Sequence, residues 1–373
     1  MIRIAFAFLL LILSCCNNQQ AENNSINSDP TYFLGADLSY INEMEDCGAV
    51  YLNSQGEPQD PYVIFSEAGA NLVRLRLWHS PGWTNYSNLE DVKKSISRAK
   101  KAGMKVLLAF HYSDDWADPN KQDVPGDWLP FVDATTQLSD ALYLYTYNVL
   151  KELHSLNLLP DIVQVGNEIN AMILQRPGEL KPIDWKRNAA LLNRAIKAVR
   201  NFSATTGDKV GVMLHIAQPE NALWWFKEAK ENGVIDFDFI GISYYPKWSD
   251  KSLQGLGDAI TTLKNMCHKE VMVVETAYPF TLNGQDEANN ILGEDSLEDE
   301  FPATQDGQLA YLNTLHKTVK DSGGSGVLYW EPAWVSTSCA TRWGKGSHWE
   351  NAALFDFFSK PTKAMLWFRN HKE

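Results

Sequence analysis

Two glutamates stand in strings suited to hydrolytic chemistry: one closes Val165-Gly166-Asn167-Glu168, and the other opens Glu275-Thr276-Ala277-Tyr278 directly after Val274. Cutting a glycosidic bond takes two carboxyl groups in opposite protonation states. One donates a proton to the leaving oxygen while the other attacks the anomeric carbon as an anion, so their surroundings must push the two pKa values apart. The rival reading is that Glu168 and Glu275 hold a metal or form salt bridges. Asn167 is the natural hydrogen-bond donor to a sugar 2-hydroxyl, and Arg76 and Tyr244 are expected to keep Glu275 ionised.

Each glutamate follows a short apolar run, and eight such runs recur: Phe33 to Asp37, Leu72 to Trp78, Lys105 to Phe110, Ile162 to Val165, Val210 to Leu214, Phe237 to Ile242, Val271 to Val274 and Gly326 to Trp330. Helical periodicity fills the gaps, as in Leu89, Val92, Ile96 and Ala99 before Gly103, and again near 138–156, 185–202, 221–231, 256–266 and 306–320. Eight strands alternating with helices predict an α/β fold, a single (β/α)8 TIM barrel with long loops at its catalytic face. A doubly wound open sheet is the rival, but no Gly-rich phosphate turn follows the first strand. The polar stretch 281–302 is long for a loop and is expected to be a functional excursion after strand seven.

In such a barrel, chemistry occupies the C-terminal strand ends. The residues expected there are Asp37, Arg76, His111, Glu168, His215, Tyr244, Glu275 and Trp330. One histidine or one arginine alone is weak evidence. Eight such groups on one rim are costly to bury without a ligand or water, so they read as one site.

Composition narrows the substrate. The formal net charge is −13, which argues against a nucleic-acid partner. Aromatic residues make up 12% of the chain, with 13 tryptophans. Flat indoles suit the C–H faces of sugar rings, and Trp330, Trp116 and Trp83 are the expected platforms.

The N-terminus reads as an export segment. Arg3 precedes an apolar run from Ile4 to Leu13, too short to span a bilayer. It ends in Leu13-Ser14-Cys15-Cys16, which resembles a bacterial lipobox with Cys15 as the lipidated residue. Residues 1–15 are thus expected to be a lipoprotein signal peptide, 16–30 a flexible polar tether, and 31–373 the catalytic domain. The protein is expected to be exported and anchored to a bacterial membrane by its lipid alone.

From Gly35-Ala36-Asp37-Leu38-Ser39 to Leu354-Phe355-Asp356-Phe357 the chain resembles the family 53 endo-β-1,4-galactanases, within a clan of barrel glycosidases. The narrowest matches are Val73-Arg74-Leu75-Arg76-Leu77-Trp78, then His111-Tyr112-Ser113-Asp114-Asp115-Trp116-Ala117-Asp118-Pro119, and Val165-Gly166-Asn167-Glu168. Further matches are Gly241-Ile242-Ser243-Tyr244-Tyr245-Pro246, Glu275-Thr276-Ala277-Tyr278-Pro279, Tyr329-Trp330-Glu331-Pro332 and Gly346-Ser347-His348-Trp349-Glu350-Asn351. The resemblance implies Glu168 as acid/base, Glu275 as nucleophile, and a monomer that takes galactan. Asp37, Arg76, His111, Asp114, Trp116, Asn167, Tyr244 and Trp330 are the expected substrate-binding residues. Competing readings are a barrel endoglycanase on mannan or glucan, and a non-catalytic glycan-binding lipoprotein.

Two departures stand out. The family usually carries Asp where this chain has Ala109, so an interaction inside the barrel is missing or replaced. Some bacterial members bind calcium in the seventh loop through an Asp/His/Asn cluster. Here Asn283, Asp286, Asn289 and Asn290 lack that pattern, so structural calcium stays an open alternative but is not predicted, no other metal site is expected, and no cofactor is required.

Export permits disulfides. Cys47 lies in the loop after strand one and Cys339 in the loop after strand eight, which barrel closure makes neighbours, whereas Cys267 precedes strand seven at the opposite end. A Cys47–Cys339 bridge is therefore expected, with Cys267 left as a small buried hydrophobe.

Overall fold

The computed structural model describes residues 32–342 and 344–370. The signal segment, Cys15 and the tether lie outside the described residues. Eight parallel strands close into one barrel in the order of the sequence. They are β1 (Phe33–Asp37), β2 (Leu72–Leu77), β3 (Lys105–Phe110), β4 (Ile162–Val165), β5 (Gly211–Ala217), β6 (Phe239–Ser243), β7 (Glu270–Glu275) and β8 (Gly326–Tyr329). The barrel closes where Phe33 to Ala36 pair with Gly326 to Tyr329. Strand five runs to Ala217, further than its apolar run suggests, because Ile216 and Ala217 pair with Ile242 and Ser243.

Helices cover the outside: α1 (Ile41–Asp46), α2 (Pro61–Ala68), α3 (Leu89–Lys101), α4 (Thr135–Ser155), α5 (Trp185–Thr206), α6 (Pro219–Glu231), α7 (Leu253–Cys267), α8 (Gln305–Asp321) and α9 (Leu366–Asn370). Their apolar faces and the outward side chains of the strands form the larger core. Asn88 starts α3 by accepting the Asp91 N–H, and an acidic first turn and basic last turn suit the helix dipole. A two-stranded hairpin, β9 (Ala340–Thr341) with β10 (Gly344–Lys345), sits in the loop after β8.

Alternation along each strand explains where the polar groups go. Every second side chain points into the barrel. Phe33, Leu72, Leu107, Ile162, Met213, Met272 and Leu328 pack together inside it, joined by Ala109 and Val274. Two or four residues further along the same strands come Asp37, Arg74, Arg76, His111, Gln164 and His215, all buried. An apolar floor thus carries a polar layer at the C-terminal end. Ala109 is fully buried in the apolar cluster, so the departure at this position is met by packing.

Candidate active site

The end of β4 is bent to aim Glu168 inward. Gly166 has φ +80° and Glu168 itself φ +44°, a left-handed conformation that costs a non-glycine residue of order 1 kcal/mol or more. A Cβ at position 166 would stand 2.5 Å from Ile169 Cγ2, so glycine is required there. The strained turn is held from outside: Gln122 Nε2 donates to the carbonyls of Asn167 (2.9 Å) and Glu168 (3.1 Å), and the Ile169 N–H donates to the His215 carbonyl. Glu275 arrives at the end of β7, where a register shift sets Ser243 opposite it. An oxygen of Glu168, one of Glu275 and a ring nitrogen of His215 lie within 4.8 Å of one another.

Charge separates the two carboxyls. Arg74 Nη1 lies 2.8 Å from Glu275 Oε1 and 2.8 Å from Asp37 Oδ2. Its other nitrogens donate to Gln164 Oε1 (3.0 Å) and Asn167 Oδ1 (2.6 Å). Tyr245 adds a weak hydroxyl bond to Glu275 Oε2 at 3.4 Å. Burial raises the Glu275 pKa, and the Arg74 guanidinium opposes that rise by favouring the carboxylate form. Among the described residues no ion pair joins Glu168 to a cation, and Arg74 acts on it only at longer range. Burial first and the negative charge of Glu275 second push its pKa up to about 8, so at neutral pH it keeps its proton. A guanidinium against Glu275 also makes the pair a poor cage for a metal cation.

Ser243 and His215 complete the acid's surroundings. Ser243 Oγ is 2.6 Å from Glu168 Oε1 and 2.8 Å from His215 Nε2, while His215 Nδ1 is 3.0 Å from Asn167 Oδ1. Burial and then Arg74 hold the His215 pKa well below its usual range, so the ring is neutral. A protonated Glu168 donates to Ser243, which donates on to Nε2. An ionised Glu168 instead accepts from Ser243, so one hydroxyl serves both states of the acid/base.

An open cleft of about 830 Å³ runs over the pair. Asp37, Arg76, His111, Trp116, Asn167 and Trp330 line it with both glutamates, as expected from the sequence. Trp116 and Trp330 face each other at 6.0 Å, and the buried indole N–H groups of Trp116 and Trp334 have no partner among the described residues.

Four residues are placed otherwise than expected. Tyr244 points away from the barrel axis and donates to the Lys251 carbonyl; strand parity gives the inward place to Tyr245. Arg76 does not hold Glu275: it pairs with the buried Glu331 at 3.2 Å and stacks under Trp116 at 4.1 Å, and Arg74 one layer below takes the expected role. Asp114 accepts the N–H groups of Ser80 and Gly126 and lies outside the cleft wall, so it shapes a loop. Trp83 shares that loop, donating to the Asp114 carbonyl, and is likewise outside the wall. Arg74, Gln164, Ser243, Tyr245 and Glu331 went unassigned in the sequence. Counting by twos from the apolar floor would have found the first four.

The family model for glycosyl hydrolase family 53 matches residues 33–368. The chain belongs to this family. An arabinogalactan endo-β-1,4-galactanase of Cellvibrio japonicus is 54% identical over 98% of this chain and 96% of its own length. An endo-β-1,4-galactanase of Bacillus subtilis is 31% identical over 91% of this chain and 85% of its own. Among solved structures, the family 53 catalytic domain of Ignisphaera aggregans superposes with a TM-score of 0.84 at 31% identity, covering 92% of this chain and 96% of that one. A fungal β-1,4-galactanase gives 0.77 at 30%, covering 90% and 98%.

The loops of this family 53 hydrolase are cross-tied around the cleft. Cys47 and Cys339 form the expected disulfide, with Cα atoms 5.5 Å apart. Cys267 is free and half-buried rather than fully buried. In the seventh loop, Asp286 accepts the N–H groups of Ser347 and Ala288 and the Ser336 hydroxyl, and Glu350 Oε1 accepts the Gln285 N–H. Asn290 Oδ1 and Glu350 Oε2 are buried without partners among the described residues. The Asp286 carboxylate is thus taken up by backbone and hydroxyl donors.

Proposed function

We propose that this family 53 hydrolase is an endo-acting galactanase that cuts β-1,4-galactosidic bonds in galactan and type I arabinogalactan by a retaining double displacement. The observation that carries it is the approach of Glu168 and Glu275 to within 4.8 Å, close to the roughly 5–5.5 Å separation of retaining pairs and short of the space an inverting enzyme leaves for water. Glu275, ionised beside Arg74, attacks the anomeric carbon while Glu168 passes its proton to the leaving oxygen. Water then opens the glycosyl–Glu275 ester, with Glu168 taking its proton back as a base. Reducing-end release from purified β-1,4-galactan, with mannan and β-glucan as controls, tests the reading. Equal release from all three, or none from galactan, would overturn it.

The same proposal extends to location: a monomer exported and held to a membrane by lipid on Cys15. The motif at Leu13 to Cys16 supports it. Among the described residues no helix is long and apolar enough to cross a membrane. Cys15→Ala should move the enzyme from membrane to soluble fractions, and unchanged membrane retention would sink the anchor.

A further inference from the structure

Gln218 stands at the top of β5, immediately before α6, and its backbone is left-handed at φ +65°. It is 8% exposed, it lines the catalytic cleft, and its side-chain oxygen is buried with no hydrogen-bond partner among the described residues. A buried carboxamide oxygen left without a donor is destabilising, so a ligand that supplies one is favoured. The main chain around it is tied on several sides. The Gln218 N–H donates to the Ser243 carbonyl at 2.9 Å, and Asn170 clamps Ala217 on both sides, accepting its N–H (2.8 Å) and donating to its carbonyl (2.9 Å). The main chain is thus secured and one side-chain amide in the cleft wall is left over.

Position decides what that amide meets. The acid Glu168 lies on the side of the departing sugar, because it must reach the glycosidic oxygen. Gln218 stands beside that acid: its N–H donates to the Ser243 carbonyl, and the Ser243 hydroxyl reaches Glu168 at 2.6 Å. Arg74 and Asp37, by contrast, sit against Glu275. Asn221 and the half-exposed Trp248 line the cleft with Gln218, which supplies polar and aromatic surface for a sugar ring.

We propose that the Gln218 carboxamide hydrogen-bonds a hydroxyl of the galactosyl unit on the leaving-group side of the scissile bond, and so selects the sugar bound there. A hydroxyl both donates and accepts, so it satisfies either end of the amide. This rests on the galactanase reading above.

The test compares two substrates in wild type and Gln218→Ala. β-1,4-Galactan places a sugar on the leaving-group side, whereas a nitrophenyl β-1,4-galactobioside places an aromatic ring there. Loss of one hydrogen bond predicts that kcat/KM on galactan falls about 10-fold more than on the aryl substrate. Transfer of galactobiosyl units to added galactotriose, which must enter the same side as acceptor, should fall relative to hydrolysis by a similar factor. Gln218→Gly removes the side chain while accepting the left-handed backbone, and it carries the test if the alanine variant folds poorly. Equal losses on both substrates with an unchanged transfer ratio would overturn the inference and leave the galactanase reading standing. A wild type inactive on galactan would sink that reading and this inference with it.

Discussion

Arg74 Nη1 lies 2.8 Å from Glu275 Oε1, at the inner end of a guanidinium whose remaining nitrogens hold Gln164 and Asn167. Both partners are almost wholly buried. A lysine keeps the charge but cannot make the three-way fork, so Arg74→Lys should lower kcat at least 100-fold with little change in KM. Arg74→Met leaves Asp37 and Glu275 as uncompensated buried charges and should cost about 3–5 kcal/mol of stability. Steady-state kinetics and denaturant unfolding measure both. A lysine variant within 10-fold of wild type would show that Glu275 needs only a nearby charge.

Glu168 links activity to pH. Its pKa rises from 4.5 to about 8, chiefly by burial, so the alkaline limb of kcat/KM should report its deprotonation near pH 8. The same shift acts on stability. The folded state holds the proton more tightly than the unfolded chain, so this contribution is fully present below pH 4.5 and is lost as pH rises through about 8. Glu168→Gln cannot titrate. Its melting temperature relative to wild type should therefore climb steadily across that window, by up to about 1.4 kcal/mol of stability per pH unit. A constant offset would place the proton elsewhere.

Periodicity alone carried the barrel. Each of the eight strands overlaps its apolar run, because parallel strands buried on both faces are apolar almost throughout. The catalytic pair was legible for a related reason, since both carboxylates stand just beyond such runs, at the catalytic end of the barrel. What escaped was side-chain direction within the polar layer. Arg74 and Arg76 share a face and differ only in depth. Tyr244 and Tyr245 differ in face, and the β6–β7 register shift that sets Ser243 opposite Glu275 has no composition signal. Asp114 shows the other limit: a residue in a distinctive string serves the loop rather than the ligand.

The tryptophans divide into two groups with different expected behaviour. Trp116 and Trp330 line the cleft, so Trp116→Ala and Trp330→Ala should each raise KM for galactan several-fold or more, in line with loss of an aromatic platform. Trp83 is 40% exposed outside the cleft wall and packs on Trp78. Trp83→Ala should lower stability and leave KM within about 2-fold, since the ring packs on Trp78 and under Arg342 outside the cleft wall. A larger KM effect at Trp83 than at Trp330 would return Trp83 to the substrate.

The Cys47–Cys339 bridge joins residues 292 positions apart, so it restricts the unfolded chain over nearly the whole domain. In the chain-entropy model a loop of that length is worth on the order of 5 kcal/mol, and measured values are often lower. Locally the bridge fixes one end of the β9–β10 hairpin, whose Arg342 pairs with Asp115 in the loop after β3. The hairpin is thus pinned to two other catalytic-face loops. Glu168 and Glu275, however, are held by strand ends and by Arg74, Ser243 and Gln122, none of which depends on the bridge. Cys47→Ser with Cys339→Ser should therefore lower the denaturant midpoint markedly while kcat/KM on short galacto-oligosaccharides at 25 °C stays within about 3-fold, a change under 1 kcal/mol. Loss of activity in a variant that keeps its unfolding midpoint would mean that the bridge shapes the cleft and contributes little to the fold.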